Sequence, residues 1–110
     1  MTELEKAFEL SDIDEPIDAQ FEPLINYSRV SSYEGYMCFT PTKVYLLPRS
    51  EAAAMTFHPR CFTYEEVVSY GRKLLAGYEI TLKDGSKVLL SNVFGKMRAG
   101  ITEALDEHKK

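Results

Sequence analysis

The chain of 110 residues has no tryptophan, two cysteines, two histidines and no long apolar run. Two cysteines that form no C-x-x-C cannot build a disulfide framework. Cys38 and Cys61 both stand in apolar, strand-like contexts (Met37-Cys38-Phe39 and Cys61-Phe62), which predicts buried, reduced thiols and a cytoplasmic location. No stretch approaches the roughly 20 apolar residues that span a bilayer. The start lacks a basic region followed by an apolar one, so no signal peptide is expected. The scarcity of histidine limits metal chemistry. His58 and Cys61 make H-x-x-C, half of a zinc site, but zinc takes three or four ligands and no second Cys/His pair follows. His108 falls at the expected frayed end of a C-terminal helix. No metal or other cofactor is predicted.

Catalytic signatures are missing too. There is no G-x-S-x-G, no glycine-rich phosphate loop, and no Ser or Cys marked as held by a His. Glu65-Glu66 is a carboxylate pair, but neighbours on an extended corner point apart, so they are expected to solvate a turn. The expectation is a protein that is not an enzyme. A basic excess is also lacking: the net charge is −4, without dense interleaving of basic and aromatic residues, which argues against nucleic acid.

What is present is a charge asymmetry. Residues 1–24 carry eight acids (Glu3, Glu5, Glu9, Asp12, Asp14, Glu15, Asp18, Glu22) and one base, Lys6, for a net −7. Residues 25–110 carry twelve bases and nine acids, for a net +3. Residues 1–24 therefore read as an acidic leader, and residues 25–110 as one domain. Within the leader, Thr2 and Glu5 have capping-box spacing for a short helix. Asp12 to Pro23 reads as loop, with two prolines and no sustained period. The leader is either a solvated tail or an intramolecular mask over a basic surface.

Beyond it, short strand-like runs follow one another about ten residues apart, as in a small sandwich or barrel. They cover residues 25–33, then 36–40 after a break at Glu34-Gly35, 43–47 before Pro48, 54–57, and 67–75 after the corner at Glu65-Glu66. The last hairpin contains Asp84-Gly85. A two-residue loop would set Leu82 opposite Lys87. A three-residue loop, Lys83-Asp84-Gly85, pairs Leu82 with Ser86, Ile80 with Val88 and Tyr78 with Leu90. Only the second keeps one face mostly apolar, with Gly85 at the left-handed position. Phe94, Met97, Ile101, Ala104 and Leu105 then form one stripe of an amphipathic helix over about 94–108, with Asn92 or Ser91 as its cap. Gly100 inside it costs about 1 kcal/mol against alanine, which suggests close packing on the sheet.

The strand order, Phe62-Thr-Tyr-Glu-Glu-Val67, the hairpin Tyr78-Glu-Ile-Thr-Leu-Lys-Asp-Gly85 and the terminal helix together resemble the bacterial pleckstrin-homology-like domains, which are similar to GRAM domains. Gly35-Tyr-Met-Cys-Phe-Thr-Pro-Thr-Lys-Val-Tyr-Leu-Leu47 resembles the opening hairpin of that family. The resemblance covers about residues 25–108 and rests on hydrophobic pattern and turn chemistry. It implies a mainly β fold with a C-terminal α-helix: a PH-like barrel of two antiparallel sheets, about seven strands, capped by the helix at one open end. It also implies a binding scaffold. The phosphoinositide-binding version places a basic cluster in the first hairpin, where residues 26–37 offer only Arg29. Many bacterial members are joined to transmembrane helices, and none is visible here.

Strand ends and loop tips are where such scaffolds carry binding groups. The candidate binding residues are Arg72 and Lys73 at the end of one strand, Lys83 and Lys87 beside the hairpin turn, and Arg49 in a long loop. The seven tyrosines exceed what one small core takes up, so most are expected to be half-buried and some to form an interface. The favoured function is a non-catalytic interaction module, binding protein or self-associating. The alternative is peripheral binding of anionic membrane lipid through the basic residues, masked by the acidic leader. A third reading, a small-molecule carrier or enzyme using the groove between sheet and helix, has only His58 and Cys61 as handles.

Overall fold

The computed structural model describes residues 15–26, 32–49, 60–73 and 76–108. The expected N-terminal helix, the strand at 54–57, His58, and Lys109 and Lys110 fall outside them.

The described residues form eight strands and one α-helix: β1 Ala19–Phe21, β2 Leu24–Asn26, β3 Ser32–Phe39, β4 Lys43–Pro48, β5 Arg60–Thr63, β6 Val67–Lys73, β7 Gly77–Leu82, β8 Lys87–Ser91 and α1 Gly95–His108. All pairings are antiparallel, in the order β5-β4-β3-β2-β8-β7-β6, with β1 also on β3. β1 and β2 are two halves of one broken strand. Both pair with β3 without a slip in register, from Ala19 opposite Phe39 to Asn26 opposite Ser32. The break is at Glu22-Pro23, where proline has no N–H to give to the ladder. Counted as one, these halves leave seven strands. The long β3 serves both halves of the sheet: its start pairs with β2, which continues to β8, and its end pairs with β1 and β4.

Two expectations are corrected here. The loop read over Asp12 to Pro23 contains β1, so part of the acidic leader is sheet. The break read at Glu34-Gly35 is continuous strand. Gly35 is needed for close approach: a Cβ there would stand 2.4 Å from Ile25 Cδ1 and 2.7 Å from the Leu47 carbonyl oxygen.

The hairpin register is as the apolar pattern requires. Tyr78 faces Leu90 and Ile80 faces Val88. Leu82 N–H donates to Ser86 O at 2.9 Å, and Gly85 has φ of 89°. The inward residues Tyr78, Ile80, Leu82, Val88 and Leu90 are buried beside Met37, Phe39, Val44 and Leu46. Helix α1 closes this core with Ile101, Ala104 and Leu105, and Met97 packs at its margin. Phe94 does not join the stripe; it precedes the helix and is 65% exposed. Asn92, expected as a cap, stands at φ 58° two residues before Phe94. On the other face of β3 a smaller cluster holds Tyr36, Cys38 and Leu47.

Between β5 and β6 lies a 3-10 turn, Tyr64–Glu66. Thr63 and Glu66 form a capping box, with Thr63 N–H donating to Glu66 Oε2 at 2.7 Å. That gives Glu66 a structural task, while Glu65 is exposed. Cys38 is buried as expected, and burial pushes its thiol up to about 12. Cys61 is exposed, against expectation. It alternates with inward Phe62 on β5, and strand periodicity sends it to the outer face. The tyrosines are more buried than expected: Tyr33, Tyr36, Tyr64 and Tyr78 are all core residues. No helix among the described residues is long and apolar enough to cross a membrane.

Candidate binding groove between the terminal helix and an edge strand

β6 ends the sheet, and α1 packs across the sheet next to it. Between them runs an open groove of about 940 Å³. Tyr70 and Arg72, two residues apart on β6, line one wall. Arg98, Ala99, Thr102, Glu103, Asp106 and Glu107 line the other, at the three- and four-residue spacing of one helical face.

Polar contacts fix this wall to the sheet. The Tyr70 hydroxyl donates to Asp106 Oδ1. That bond, above all, holds the Tyr70 phenol up to about 12. Beneath the groove, the hydroxyls of Tyr78 and Thr102 are 2.9 Å apart. The charges are divided along the helix. Arg98 is in its first half, and Glu103, Asp106 and Glu107 are in its second. Arg72 lies opposite Tyr78 in the ladder, and so toward Thr102 and away from the Tyr70–Asp106 contact. The groove is thus cationic at one end and anionic at the other.

The five basic residues singled out in the sequence do not form one patch. Arg72 alone enters the groove. Lys73, its neighbour, takes the opposite face because side chains alternate along a strand. There Lys73 Nζ lies 2.6 Å from Glu79 Oε2, and Lys87 Nζ lies 3.6 Å from Glu79 Oε1. The bond from Lys73 chiefly lowers the pKa of the Glu79 carboxyl. Lys83 is exposed in the β7–β8 turn. Arg49 follows β4, with its guanidinium 6.0 Å from the Tyr36 ring centre and its pKa raised, chiefly by Glu22. Arg98, Glu103 and Asp106 escaped the sequence reading, which followed only the apolar stripe of the helix. Their signal is the polar stripe at four-residue spacing, 98, 102 and 106.

A second polar cluster holds the described end of the leader. Glu15 Oε1 accepts from the Thr42 hydroxyl at 2.6 Å, and Asp18 N–H donates to Phe39 O at 2.7 Å. Asp18 Oδ2 lies 3.1 Å from His108 Nε2, and His108 Nδ1 lies 2.8 Å from Ala104 O. The imidazole stacks on Tyr64 at 4.3 Å between ring centres. His108 is therefore a packed residue, where a frayed end was expected. Among the described residues, no group of three or more His, Cys, Asp or Glu could hold a metal ion.

No family model matches the chain, and no curated protein matches it. Solved structures do. The C-terminal domain of an unknown protein from Leishmania infantum is similar with TM-score 0.72 and 18% identity, over 96% of this chain and 94% of that one. The C-terminal PH domain of pleckstrin, solved with D-myo-Ins(1,2,3,5,6)P5, gives TM-score 0.67 and 14% identity, over 89% of this chain and all of that one. The chain has a PH-like fold. The DH/PH fragment of PDZRHOGEF, solved in complex with human RhoA, gives TM-score 0.70 and 12% identity, over 93% of this chain and 31% of that one. The described sheet is not closed into the barrel that was expected: β5 and β6 are its two ends.

Proposed function

We propose that the chain is a non-catalytic interaction module whose partner is a protein. The observation that carries this is the groove, a concave surface with opposite charges at its two ends and a tyrosine held in place at the anionic one. Arginine and aromatic side chains beside a concavity are the usual anchors of protein recognition. The PH-like structures solved with RhoA and with an inositol pentakisphosphate lend general support to a binding role.

A second reading is favoured by the outer face of β6–β8, where Lys73 and Lys87 stand with the partly exposed Leu89. These groups suit an anionic lipid surface, with the acidic leader as a mask.

One experiment separates the readings. A photo-reactive residue replacing Ala99, on the groove wall, is used for cross-linking in cells, and co-sedimentation with phosphatidylserine vesicles is run in parallel. A cross-linked protein that is lost in the R98E background supports the protein reading. No such product, with vesicle binding that falls on charge reversal of Lys73 and Lys87, overturns it in favour of the membrane.

A further inference from the structure

We infer that the groove takes one extended segment of a partner protein, added as a strand to the free edge of β6, with an acidic side chain of that segment seated at Arg72 and Arg98. This rests on the protein-binding reading and names the form of the partner.

Three observations converge. Among the described residues, no strand pairs with the outer edge of β6, so alternate residues over 69–73 turn backbone N–H and C=O groups away from β7. An unpaired edge is a template for a further strand. Most such edges are left open to solvent, whereas this one stands beside a helix, so an added strand lies in a trough. A strand about 4.8 Å from β6 would point every second side chain at α1.

The second observation is charge. Arg72 and Arg98 line the groove with no carboxylate among the described residues ion-paired to either, whereas Lys73 and Lys87 share Glu79. The acids Glu103, Asp106 and Glu107 lie one to three helical turns further on. An extended segment with an acid, and a base about three residues away, meets both ends; a uniformly charged one meets only one.

The third is a pair of exposed apolar residues near the starts of the two elements that form the groove. Val68, at the irregularity where β6 begins, is 58% exposed, and Phe94, four residues before Arg98, is 65% exposed. Each offers an anchor for an apolar side chain at one end of the segment.

The test is selection of a displayed random 12-residue peptide library against the full chain, followed by binding of the recovered peptides as synthetic molecules. The expected sequences alternate β-forming residues and share one acidic position. R72E and R98E are each expected to weaken binding about tenfold or more, with unfolding temperatures close to wild type. N-methylation of alternate peptide amides is expected to abolish binding, since it removes the ladder donors. Failure to recover peptides, recovery without a shared acid, or binding that tolerates N-methylation would overturn the proposal. If cross-linking from position 99 still yields an R98E-sensitive protein, that failure leaves the binding-module reading standing and assigns the groove to a folded surface. A wild-type dimer that R98E splits would put a second copy of the chain in the groove, and would likewise overturn it.

Discussion

Gly100 sits over the ring of Phe21: a Cβ at position 100 would lie 2.6 Å from Phe21 Cε1 and 2.8 Å from Cζ. The contact joins the C-terminal helix to β1, within the acidic leader. On helix propensity alone, Gly100→Ala should stabilise by about 1 kcal/mol. Overpacking costs about 1–3 kcal/mol. Phe21 is further held edge-on to Phe39 at 5.8 Å, which limits its retreat. The expected net effect is destabilisation by about 1 kcal/mol. In a Phe21→Ala background the sign should reverse. Urea unfolding of the four proteins of this cycle measures it, and Gly100→Ala stabilising in both backgrounds would refute the contact.

Gly35 presents a harsher case. One obstacle to a Cβ is the Leu47 carbonyl oxygen at 2.7 Å, a backbone atom of the paired strand, and the other is Ile25 Cδ1 at 2.4 Å in the core. Neither is the free end of an exposed side chain. Gly35→Ala is expected to cost about 3 kcal/mol. A midpoint shift in denaturant of less than a third of that would show that the strand can open there.

The two glycines also mark how far sequence reasoning reaches. The β7–β8 register was legible because only one pairing buries Tyr78, Ile80, Val88 and Leu90 together. Gly100 was legible as a packing glycine because it interrupts a clear helical stripe. Gly35 was misread as a break because a sequence does not distinguish a glycine that turns from one that is approached closely. Phe94 and Cys61 were assigned to the interior, but Phe94 stands before the helix begins and is exposed, and the strand period sends Cys61 outward. The groove was least legible. Its parts come from β6 and α1, more than twenty residues apart, and alternation on β6 divides Arg72 from Lys73, which look like a pair in the chain.

Alkaline pH should unfold the protein through groups that burial keeps protonated. Cys38 is raised from 9.0 to about 12 by desolvation, and Tyr64 and Tyr78 are raised, both chiefly by burial. For such groups the unfolded chain loses its proton first. Between the unfolded and folded values a rise in pH therefore favours unfolding, and the stability these groups contribute is whole only below the unfolded value. The decline should begin near pH 9 with Cys38 and steepen above 10 with the tyrosines. For Cys38 alone the loss reaches about 4 kcal/mol by pH 12. Cys38→Ala should be less stable at pH 7, through lost packing, yet show a shallower decline between pH 9 and 10. Equal slopes for wild type and variant over that interval would mean that the thiol ionises freely in the folded state.

Glu79 offers the cleanest way to separate the two surfaces. It faces Lys73 and Lys87 at once, and its carboxyl pKa is lowered by them. A lowered acid contributes stability above its unfolded value, which is lost as pH falls through the folded one. The lysines are exposed and Glu79 is half-buried between them, so Glu79→Gln should lower neutral-pH stability by about 1 kcal/mol or less. Its larger effect is on charge: two lysines lose their shared counter-ion on the outer face, while the groove on the other side of β6 keeps its residues. If the outer face binds anionic lipid, Glu79→Gln should strengthen co-sedimentation with phosphatidylserine vesicles, and 0.5 M salt, where the screening length is only about 4 Å, should abolish the gain. If the groove is the functional surface, the same substitution should leave peptide and protein binding unchanged, and R98E should weaken both about tenfold or more while leaving vesicle behaviour as in wild type. A single substitution that moved both readouts together would show that the two faces of β6 act as one site.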